Sequence, residues 1–466
     1  MIDAAAERRL VRKIDLYVYP ILFLVYMMSF LDRINISNAR IQGMTEDLDL
    51  VGNRFNIALF VYFVPYILLE VPSNMVIKKV RPSIYLSSLM AAWGLVNMCM
   101  GFVQSYAGLV ALRFFLGVLE AGVMPGIIYL TSMYYKRHEF QKRMSFFFCS
   151  TVVAGAFGGL LAYAIAHLGG RGGIAAWRWI FIIEGAATVL ISVASAFLIV
   201  DWPEQCRFLS GSEKALLRLR LAADGTEEAR MDTLDRYAWA RILGDWKIWL
   251  GAVVYMGVGI TGYSVTFFMP TILLEFGWDA ADAQVHTIPV YAASAVAMLL
   301  VAWLSDRLRH RYGFLMLGCV VSTAGYAVLL AQDGDGVGRD AKYAAVFLVA
   351  MGGFACTPMA LAWLANNVSG HWKRAFASGI QITIGNVAGL LASNIFVRSE
   401  APRYPTGYGV ALGMTWLGAL AATALFVGLL LENRKRDAGK RDDRLARPRE
   451  ELENMGDYHP SFRFTL

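Results

Sequence analysis

The chain has 466 residues, of which 57% are hydrophobic and only 17% are charged. Soluble domains have roughly 45–50% apolar and about 25% charged residues, so this composition excludes an ordinary soluble globular protein. The formal net charge of +7 does not indicate a nucleic-acid partner, because the basic residues stand in short segments beside apolar runs and form no continuous stripe.

Apolar runs follow one another along almost the whole chain. A helix needs about 20 mostly apolar residues to cross a bilayer. The sequence therefore predicts an all-α membrane protein with twelve transmembrane helices, and six spans on either side of a polar segment favour two pseudo-symmetric six-helix bundles. The predicted spans are residues 14–31, 56–77, 84–103, 106–132, 144–168, 177–200, 247–274, 285–305, 313–331, 343–366, 375–398 and 408–431.

The polar segment after the sixth span is expected to be a cytoplasmic linker. Within it, Ser210 and Glu213 have the spacing of a capping box, which predicts a short surface helix. The charged end of the chain is expected to be a cytoplasmic tail that is partly disordered. The predicted units are an N-terminal six-helix bundle at 1–200, the linker at 201–245, a C-terminal six-helix bundle at 246–432 and the tail at 433–466.

The distribution of basic residues predicts the orientation. Lysines and arginines precede the first span and follow spans 2, 4, 8 and 10, whereas acidic residues follow spans 7 and 9. Cytoplasmic loops of membrane proteins carry an excess of Lys and Arg, so both termini and the linker are expected in the cytoplasm. The plasma membrane is the expected location of this multi-pass protein.

Four charged residues stand inside apolar spans. Asp32 and Arg33 end the first run, and Arg113 and Glu120 lie in the fourth. Charges in hydrocarbon are costly, so they usually face a cavity, pair with one another and mark a transport path. Arg113 and Glu120 are seven residues apart, which is about two helical turns or roughly 10.5 Å on one face. An arginine there would hold an anion and a carboxylate would take up a proton, the alternative being a purely structural ion-pair network.

Two further carboxylates lie inside predicted spans. Glu70 stands between Pro65 and Pro72, in a helix expected to kink, and either a local structural role or a functional role fits it. Glu184 is expected to be a partner between helices rather than a group that binds substrate.

The eleventh span carries amides in place of charges. Gln381 and Asn386 stand among Gly379, Gly385 and Gly389, which favour close packing of helices. Both amides are candidates to donate hydrogen bonds to a polar substrate, and hydrogen bonding between helices is at least as good an explanation for either one.

Metal and cofactor chemistry is not expected. The five cysteines are scattered without a CxxC pair, and the six histidines have no ligand spacing, so no metal site is predicted. No nucleophile, base and metal constellation is visible, which argues against an enzymatic step. The expected driving force is a proton gradient and no cofactor.

At these residues the chain resembles the major facilitator superfamily. The resemblance covers the membrane region and is most specific in RFFLGVLEAGVMPGIIYLTSMYY, supported by LDRINISNA, YSVTFFMPTILLEFGW and ANNVSGHWKRAFASGIQITIGNVAGLLASNIF. Within the superfamily, the chain is similar to the anion:cation symporter branch, in its fungal allantoate, nicotinate and vitamin permease group.

The resemblance implies roles for particular residues. In that branch, one Asp-Arg pair and one pair of an Arg with a Glu couple protons to the movement of organic anions. The resemblance therefore implies that Asp32 and Glu120 couple protons. It also implies that Arg33 and Arg113 bind the substrate. It also implies that Asn386 contacts substrate. LSDRLRHR resembles the superfamily's gating motif and implies gating by Asp306 and Arg307, whereas the equivalent loop of the first half departs from the motif, with Ile77 where an Asp is expected.

The sequence therefore predicts H+-coupled symport of a small organic anion, either a carboxylate metabolite or a vitamin, by alternating access. The expected partners are this anion, protons and the lipid bilayer, and the carrier is expected to be a monomer. One alternative is export of an acidic secondary metabolite by the same scaffold. A receptor that senses a nutrient without moving it is a third possibility, although the linker and the tail are of ordinary length for a carrier.

Overall fold

The computed structural model describes residues 4–77, 79–224, 242–308, 310–332, 337–369, 371–446, 452 and 455–466. Throughout these residues the regular structure is helical, with no strand. Twelve helices in the described part are long and apolar enough to span a membrane, and each coincides with a predicted span. The predicted all-α fold with twelve transmembrane helices is thus confirmed.

The twelve helices are numbered in chain order. They are α1 Ala4–Ala39, α2 Arg54–Ile77, α3 Pro82–Met100, α4 Tyr106–Ser132, α5 Arg137–Ala166, α6 Ala176–Leu198, α7 Trp246–Glu275, α8 Ala280–Leu308, α9 Arg311–Leu330, α10 Arg339–Asn367, α11 His371–Ile395 and α12 Pro405–Asp437. Helix α4 is interrupted by a turn after Glu120 and resumes at Val123.

Each half of the chain packs into its own bundle, and two helix pairs make most of the contact between the bundles. In the first half α3 packs on α6, α2 on α4 and α1 on α5, while in the second half α7 packs on α10, α11 and α12, and α9 on α10. Helix α5 packs against α8 and α2 against α11, which brings the halves together. The exact unit boundaries proposed from the sequence stay predictions, and residues 225–241 of the linker lie outside the described residues.

The bundles are closed against each other at the end of the molecule opposite the N-terminus and the linker. Asn56, at the start of α2, donates hydrogen bonds to the carbonyl oxygens of Ser393 at 2.7 Å and Phe396 at 3.0 Å. The amide of Gln42 donates to that of Gln284 at 3.0 Å, joining the α1–α2 segment to α8. These contacts cross the bundle interface at one end, so access to its middle from that end is blocked in this conformation.

Helix α1 begins ten residues earlier than the apolar run predicts, at Ala4. Its polar first turns are stabilised from the side, because Glu7 accepts from Lys136 Nζ at 2.5 Å and from Arg220 Nε at 2.9 Å. Arg220 belongs to the predicted surface helix, which is present as Gly211–Asp224. Its capping box is also present, since Ser210 N donates to Glu213 at 2.8 Å. The linker helix thus lies against the base of the first bundle.

The end of the tail is docked on the second bundle, where the sequence predicted partial disorder. The Thr465 carbonyl accepts from Trp363 Nε1 and from Asn367 Nδ2, each at 3.0 Å. The buried carboxylate of Asp457 contacts Lys247 Nζ at 2.7 Å and Lys373 Nζ at 2.8 Å. The charge of the tail led to the expectation of disorder, but its last twelve residues also carry aromatic side chains, and Phe464 is buried in the bundle.

Candidate functional site

Glu120 lies at the meeting point of α1, α2 and α4 and is fully buried. Gly117, one turn earlier, allows this approach, because a Cβ atom there would stand 2.1 Å from the Tyr62 carbonyl oxygen. Glu120 Oε2 accepts hydrogen bonds from Tyr62 Oη at 2.7 Å and Ser29 Oγ at 3.0 Å. It also pairs with Arg33 Nη2 at 3.1 Å. The carboxylate therefore has one cationic and two neutral partners.

Arg33 is held within a group of aromatic rings. Its guanidinium carbon lies 5.1 Å from the ring centres of both Tyr62 and Tyr66, and 5.6 Å from that of Phe30. Such contacts favour a cation electrostatically, since the face of an aromatic ring is negative. The Nε atom has no hydrogen-bond partner. Arg33 is thus a stabilised cation, and its Nε–H remains an unused hydrogen-bond donor.

Arg113 is fully buried and carries no ion pair in the described structure. Its guanidinium carbon lies 5.1 Å from the Tyr62 ring, on whose atoms Arg33 also packs, and Nε donates a long bond of 3.4 Å to the Ala58 carbonyl. The terminal atoms Nη1 and Nη2 have no hydrogen-bond partner. A buried guanidinium with two unused donors is costly and is suited to bind a carboxylate in a bidentate manner.

Asp32 points away from this group, although it precedes Arg33. Successive residues of a helix differ in direction by about 100°, so they contact different neighbours. Asp32 accepts from Trp93 Nε1 at 3.0 Å, Asn97 Nδ2 at 2.6 Å and Thr188 Oγ1 at 2.8 Å, on α3 and α6. The four intramembrane charges thus do not form one network, and within the described structure the ion pair that joins two of them is Arg33–Glu120.

A small cavity of about 60 Å³ lies between the bundles. Phe30, which contacts the Arg33 guanidinium, contributes to its wall from the first bundle, and Tyr263 contributes from the second. Aromatic side chains are frequent around it: Tyr26, Phe30, Phe148, Tyr255, Tyr263 and Phe354. Arg33 therefore contacts a side chain that lines this cavity.

Asn386 lies beside the cavity and connects the bundles. Its Oδ1 accepts from Tyr263 Oη at 2.8 Å, and its Nδ2 donates to Glu70 Oε2 at 3.4 Å. Thr383 Oγ1 donates to the same Glu70 oxygen at 3.3 Å. Glu70, whose role the sequence left open, is thus a buried acceptor at the interface between α2 and α11.

Gln381 has a different environment from Asn386. Its Nε2 donates to the carbonyl oxygens of Gly251 at 3.1 Å and Ala360 at 3.0 Å, on α7 and α10. These bonds favour the interhelical explanation that the sequence left open. Of the two gating candidates, Asp306 accepts from Arg311 at the start of α9, and the Arg307 guanidinium lies 5.4 Å from the Trp303 ring. The gating roles stay predictions.

The aromatic and neutral partners of the charges were not predicted from the sequence. Tyr62, Tyr66 and Glu70 follow one another at intervals of four, so they share one face of α2, and this pattern could have been recognised. Trp93, Asn97 and Thr188 carry no comparable signal, because their relation to Asp32 depends on how α3 and α6 pack on α1.

Comparison with known proteins agrees with this architecture. The chain is 36% identical over its whole length to an uncharacterized transporter of Schizosaccharomyces pombe, of which 91% is covered, and 34% identical to the MFS-type transporter cnsO of Penicillium expansum, of which 92% is covered. It is 29% identical over 98% of its length to the high-affinity nicotinic acid transporter of Saccharomyces cerevisiae, of which 85% is covered.

Solved structures support the same fold. A bacterial homologue of the human lysosomal transporter Spinster, in an inward-facing and occupied conformation, aligns with a TM-score of 0.64 at 16% identity, over 87% of this chain and 95% of that one. The family model of the Major Facilitator Superfamily matches residues 22–393. With twelve spanning helices in two bundles, and a family match over most of its length, the chain belongs to the Major Facilitator Superfamily of transporters.

Proposed function

We propose that this transporter moves a small organic anion together with protons by alternating access. The observation that carries the proposal is the pair of unused donors on the buried guanidinium of Arg113, beside the Arg33–Glu120 ion pair. Two arginines and one buried carboxylate around the Tyr62 ring leave a cationic excess. An anionic substrate would neutralise that excess.

The Arg33–Glu120 pair provides a route for coupling. While Glu120 is ionised, its carboxylate forms an ion pair with the Arg33 guanidinium at 3.1 Å. A proton taken up by Glu120 neutralises the carboxylate and frees the guanidinium, which can then bind the carboxylate of a substrate. Proton and anion therefore favour each other's binding, and such coupling is reciprocal. Asp32, fully buried among hydrogen-bond donors on α3 and α6, is the second candidate for coupled protonation.

The aromatic wall of the cavity favours a planar substrate. Rings from both bundles offer faces on which a flat molecule can stack, and Tyr263 and Asn386 add polar groups. A relative that covers nearly the whole chain is a nicotinic acid transporter, and nicotinate is a flat aromatic monocarboxylate. We therefore take an aromatic or similarly compact monocarboxylate as the substrate class. The gradients set the direction, so the same geometry would also serve export.

Alternating access follows from the contacts between the bundles. For a substrate to enter from the closed end, the bonds from Asn56 to α11 and from Gln42 to Gln284 have to break. Rocking of the two bundles about the central site would achieve this. We expect a monomeric carrier of the plasma membrane with cytoplasmic termini, no cofactor and gating contributions from Asp306 and Arg307.

The test is uptake of labelled nicotinate, and of a panel of other carboxylates, into proteoliposomes with an inward proton gradient. We expect accumulation of at least one anion that a protonophore abolishes. Exchange of an anion without any response to the pH gradient would contradict the proton coupling. Transport of neutral or cationic compounds alone would contradict the anion site.

A further inference from the structure

A second acidic group, Glu184, is buried in the first bundle outside the anion site. Glu184 lies in α6 with only 2% of its surface exposed, and neither carboxylate oxygen accepts a hydrogen bond of ordinary geometry, the Asn35 amide being the donor that approaches it. Burial without a partner strongly disfavours an ionised carboxylate. A glutamate that only packed helices together would be expected to bond to them, so this side chain requires another explanation.

The elements around Glu184 offer it no cation. Helix α6 packs on α1, α3, α5 and the 40–44 segment. From α1, the Asp32 carboxylate acts on it electrostatically, and the neutral Asn35 amide acts on it as a hydrogen-bond donor. Arg33 is turned to Glu120, and Arg40 lies over the Phe55 ring at 4.3 Å.

The described parts of the other neighbouring helices, α3 and α5, contribute no charged side chain near Glu184. The described part of α3 has no charged side chain, and its titratable groups are Tyr85, which bonds to Ser73, and the exposed Cys99. From residue 147 onwards α5 is likewise uncharged, with Cys149 and Tyr163 as its titratable groups. The near neighbour that can influence the charge of Glu184 most is therefore another carboxylate, Asp32.

Several other acceptors belong to the groups around Glu184 and Asp32. Asp32 already accepts from Trp93, Asn97 and Thr188. Besides the two Glu184 oxygens, Asn35 Oδ1 and Asn97 Oδ1 are buried without a partner. One proton on Glu184 would remove the unpaired charge and supply a donor for a neighbouring acceptor such as Asn35 Oδ1. While Glu184 holds the proton, the three donors around Asp32 can stabilise the ionised form of Asp32, so the two carboxylates can share one proton.

We propose that Glu184 carries a proton and forms with Asp32 a second proton site, the α1–α6 site, distinct from the Arg33–Glu120 pair. The proposal rests on the proposed function, because it assigns a second transported proton to the same cycle. The proton binds a Glu184 oxygen from one side of the membrane and leaves it to the other. Asp32 and Arg33 are adjacent in α1, so a change in charge at this site acts on the helix that holds the anion-binding arginine.

The test compares E184Q with the wild type and with E46Q, which alters an exposed carboxylate of the α1–α2 segment. Labelled nicotinate, or the anion found active in the panel, is the probe. Exchange at equal pH measures binding and access, and the accumulation ratio under an imposed pH gradient measures the number of coupled protons. Each coupled proton multiplies that ratio by about 10 per pH unit, since about 1.4 kcal/mol corresponds to a tenfold ratio.

We expect all three proteins to exchange the anion, with E184Q accumulating about 10-fold less per pH unit than the wild type and E46Q. An unchanged ratio in E184Q, alongside a proton-driven wild type, would overturn the α1–α6 site alone. Loss of exchange in folded E184Q would also overturn it, in favour of a structural role. Accumulation driven by a sodium gradient at constant pH, and abolished by E184Q, would replace the proton by a metal cation.

A second measurement separates this site from the proposed function. Infrared difference spectra of the solubilised full-length protein near neutral pH detect protonated carboxyl groups without any substrate. We expect a protonated-carboxyl band that E184Q removes and E46Q keeps. The wild type could show this band but no proton-driven transport. That result would contradict the proposed function, and Glu184 would still be a protonated residue. Identical spectra for E184Q and the wild type would overturn the inference directly.

Discussion

Arg33 of α1 pairs with Glu120 of α4 at 3.1 Å, while Arg113, two turns before Glu120 on the same helix, has no carboxylate partner. The sequence spacing places Arg113 and Glu120 on one face of α4, about two turns or roughly 10.5 Å apart. The structure instead brings the partner of Glu120 from another helix. Because Glu120 pairs with Arg33, the two terminal nitrogens of the buried Arg113 guanidinium are left without a hydrogen-bond partner.

Replacing Arg113 by Met should abolish transport without destabilising the fold. Methionine fills similar space without a charge, and an unpaired buried charge is itself destabilising. We expect kcat/KM to fall by at least about 100-fold, the loss of roughly 3 kcal/mol of charge-assisted binding, with Tm equal or higher. R171A, at an exposed position, is the control. Full transport by R113M would remove Arg113 from the anion site.

Glu120→Gln should uncouple the carrier rather than unfold it. The amide can keep the hydrogen bonds to Tyr62 and Ser29 but cannot pair with Arg33 or gain a proton. We therefore expect anion exchange at equal pH to persist and accumulation driven by a pH gradient to be lost. Both are measured in proteoliposomes that contain equal amounts of protein. Accumulation at the wild-type level would show that Glu120 is not the coupling group.

The sequence was sufficient for the fold and for locating the charged residues that lie buried within the spanning helices. Twelve apolar runs define twelve helices because each must satisfy its own backbone in lipid, and rare intramembrane charges are conspicuous there. The partners of those charges depend on the packing of helices that are distant in the chain. The bonds from Trp93 and Thr188 to Asp32, and the missing partner of Arg113, could therefore not be derived from spacing.

The two amides of α11 illustrate the same limit. Gln381 and Asn386 are five residues apart, and both were candidates to donate hydrogen bonds to a substrate. A five-residue interval turns the side chain by about 140°, so the two cannot share one environment. Gln381 bonds to backbone carbonyls of α7 and α10, whereas Asn386 connects Tyr263 to Glu70 beside the cavity. Only the packing of α11 decides which of them lies near the site.

Asp457→Asn should loosen the docked tail. Burial raises the pKa of the Asp457 carboxyl, but the ammonium groups of Lys247 and Lys373 outweigh this, and the net pKa lies below the usual value. Asp245 also pairs with both lysines, so D457N leaves this buried cluster with one uncompensated positive charge, and because removing one partner of a buried ion pair costs about 3–5 kcal/mol, Tm should fall. D437N breaks an exposed pair with Arg463 and should cost under about 1 kcal/mol.

The same carboxylate gives this stability a pH dependence. A depressed pKa in the folded state means that the ionised form contributes stability at any pH above the unfolded value of about 3.9. That contribution is lost as the pH falls through the lower, folded pKa. The Tm difference between the wild type and D457N should therefore be constant from neutral pH to about pH 5 and shrink below about pH 4. A difference that grew on acidification would contradict the ion pairs.

Gly117→Ala should disturb the site through the backbone of α2. A Cβ atom at this position would lie 2.1 Å from the Tyr62 carbonyl oxygen, far inside van der Waals contact, and the backbone cannot rotate away as a side chain can. Helix α2 would have to move from α4, which separates Tyr62 from Glu120. We expect a lower Tm and impaired proton-driven uptake. G413A, on α12 with nothing within 4 Å of the added Cβ atom, is the matched control and should be neutral or slightly stabilising. Normal uptake by G117A would contradict this prediction. It would mean that transport does not require α2 and α4 to lie close enough for the hydrogen bond from Tyr62 to Glu120.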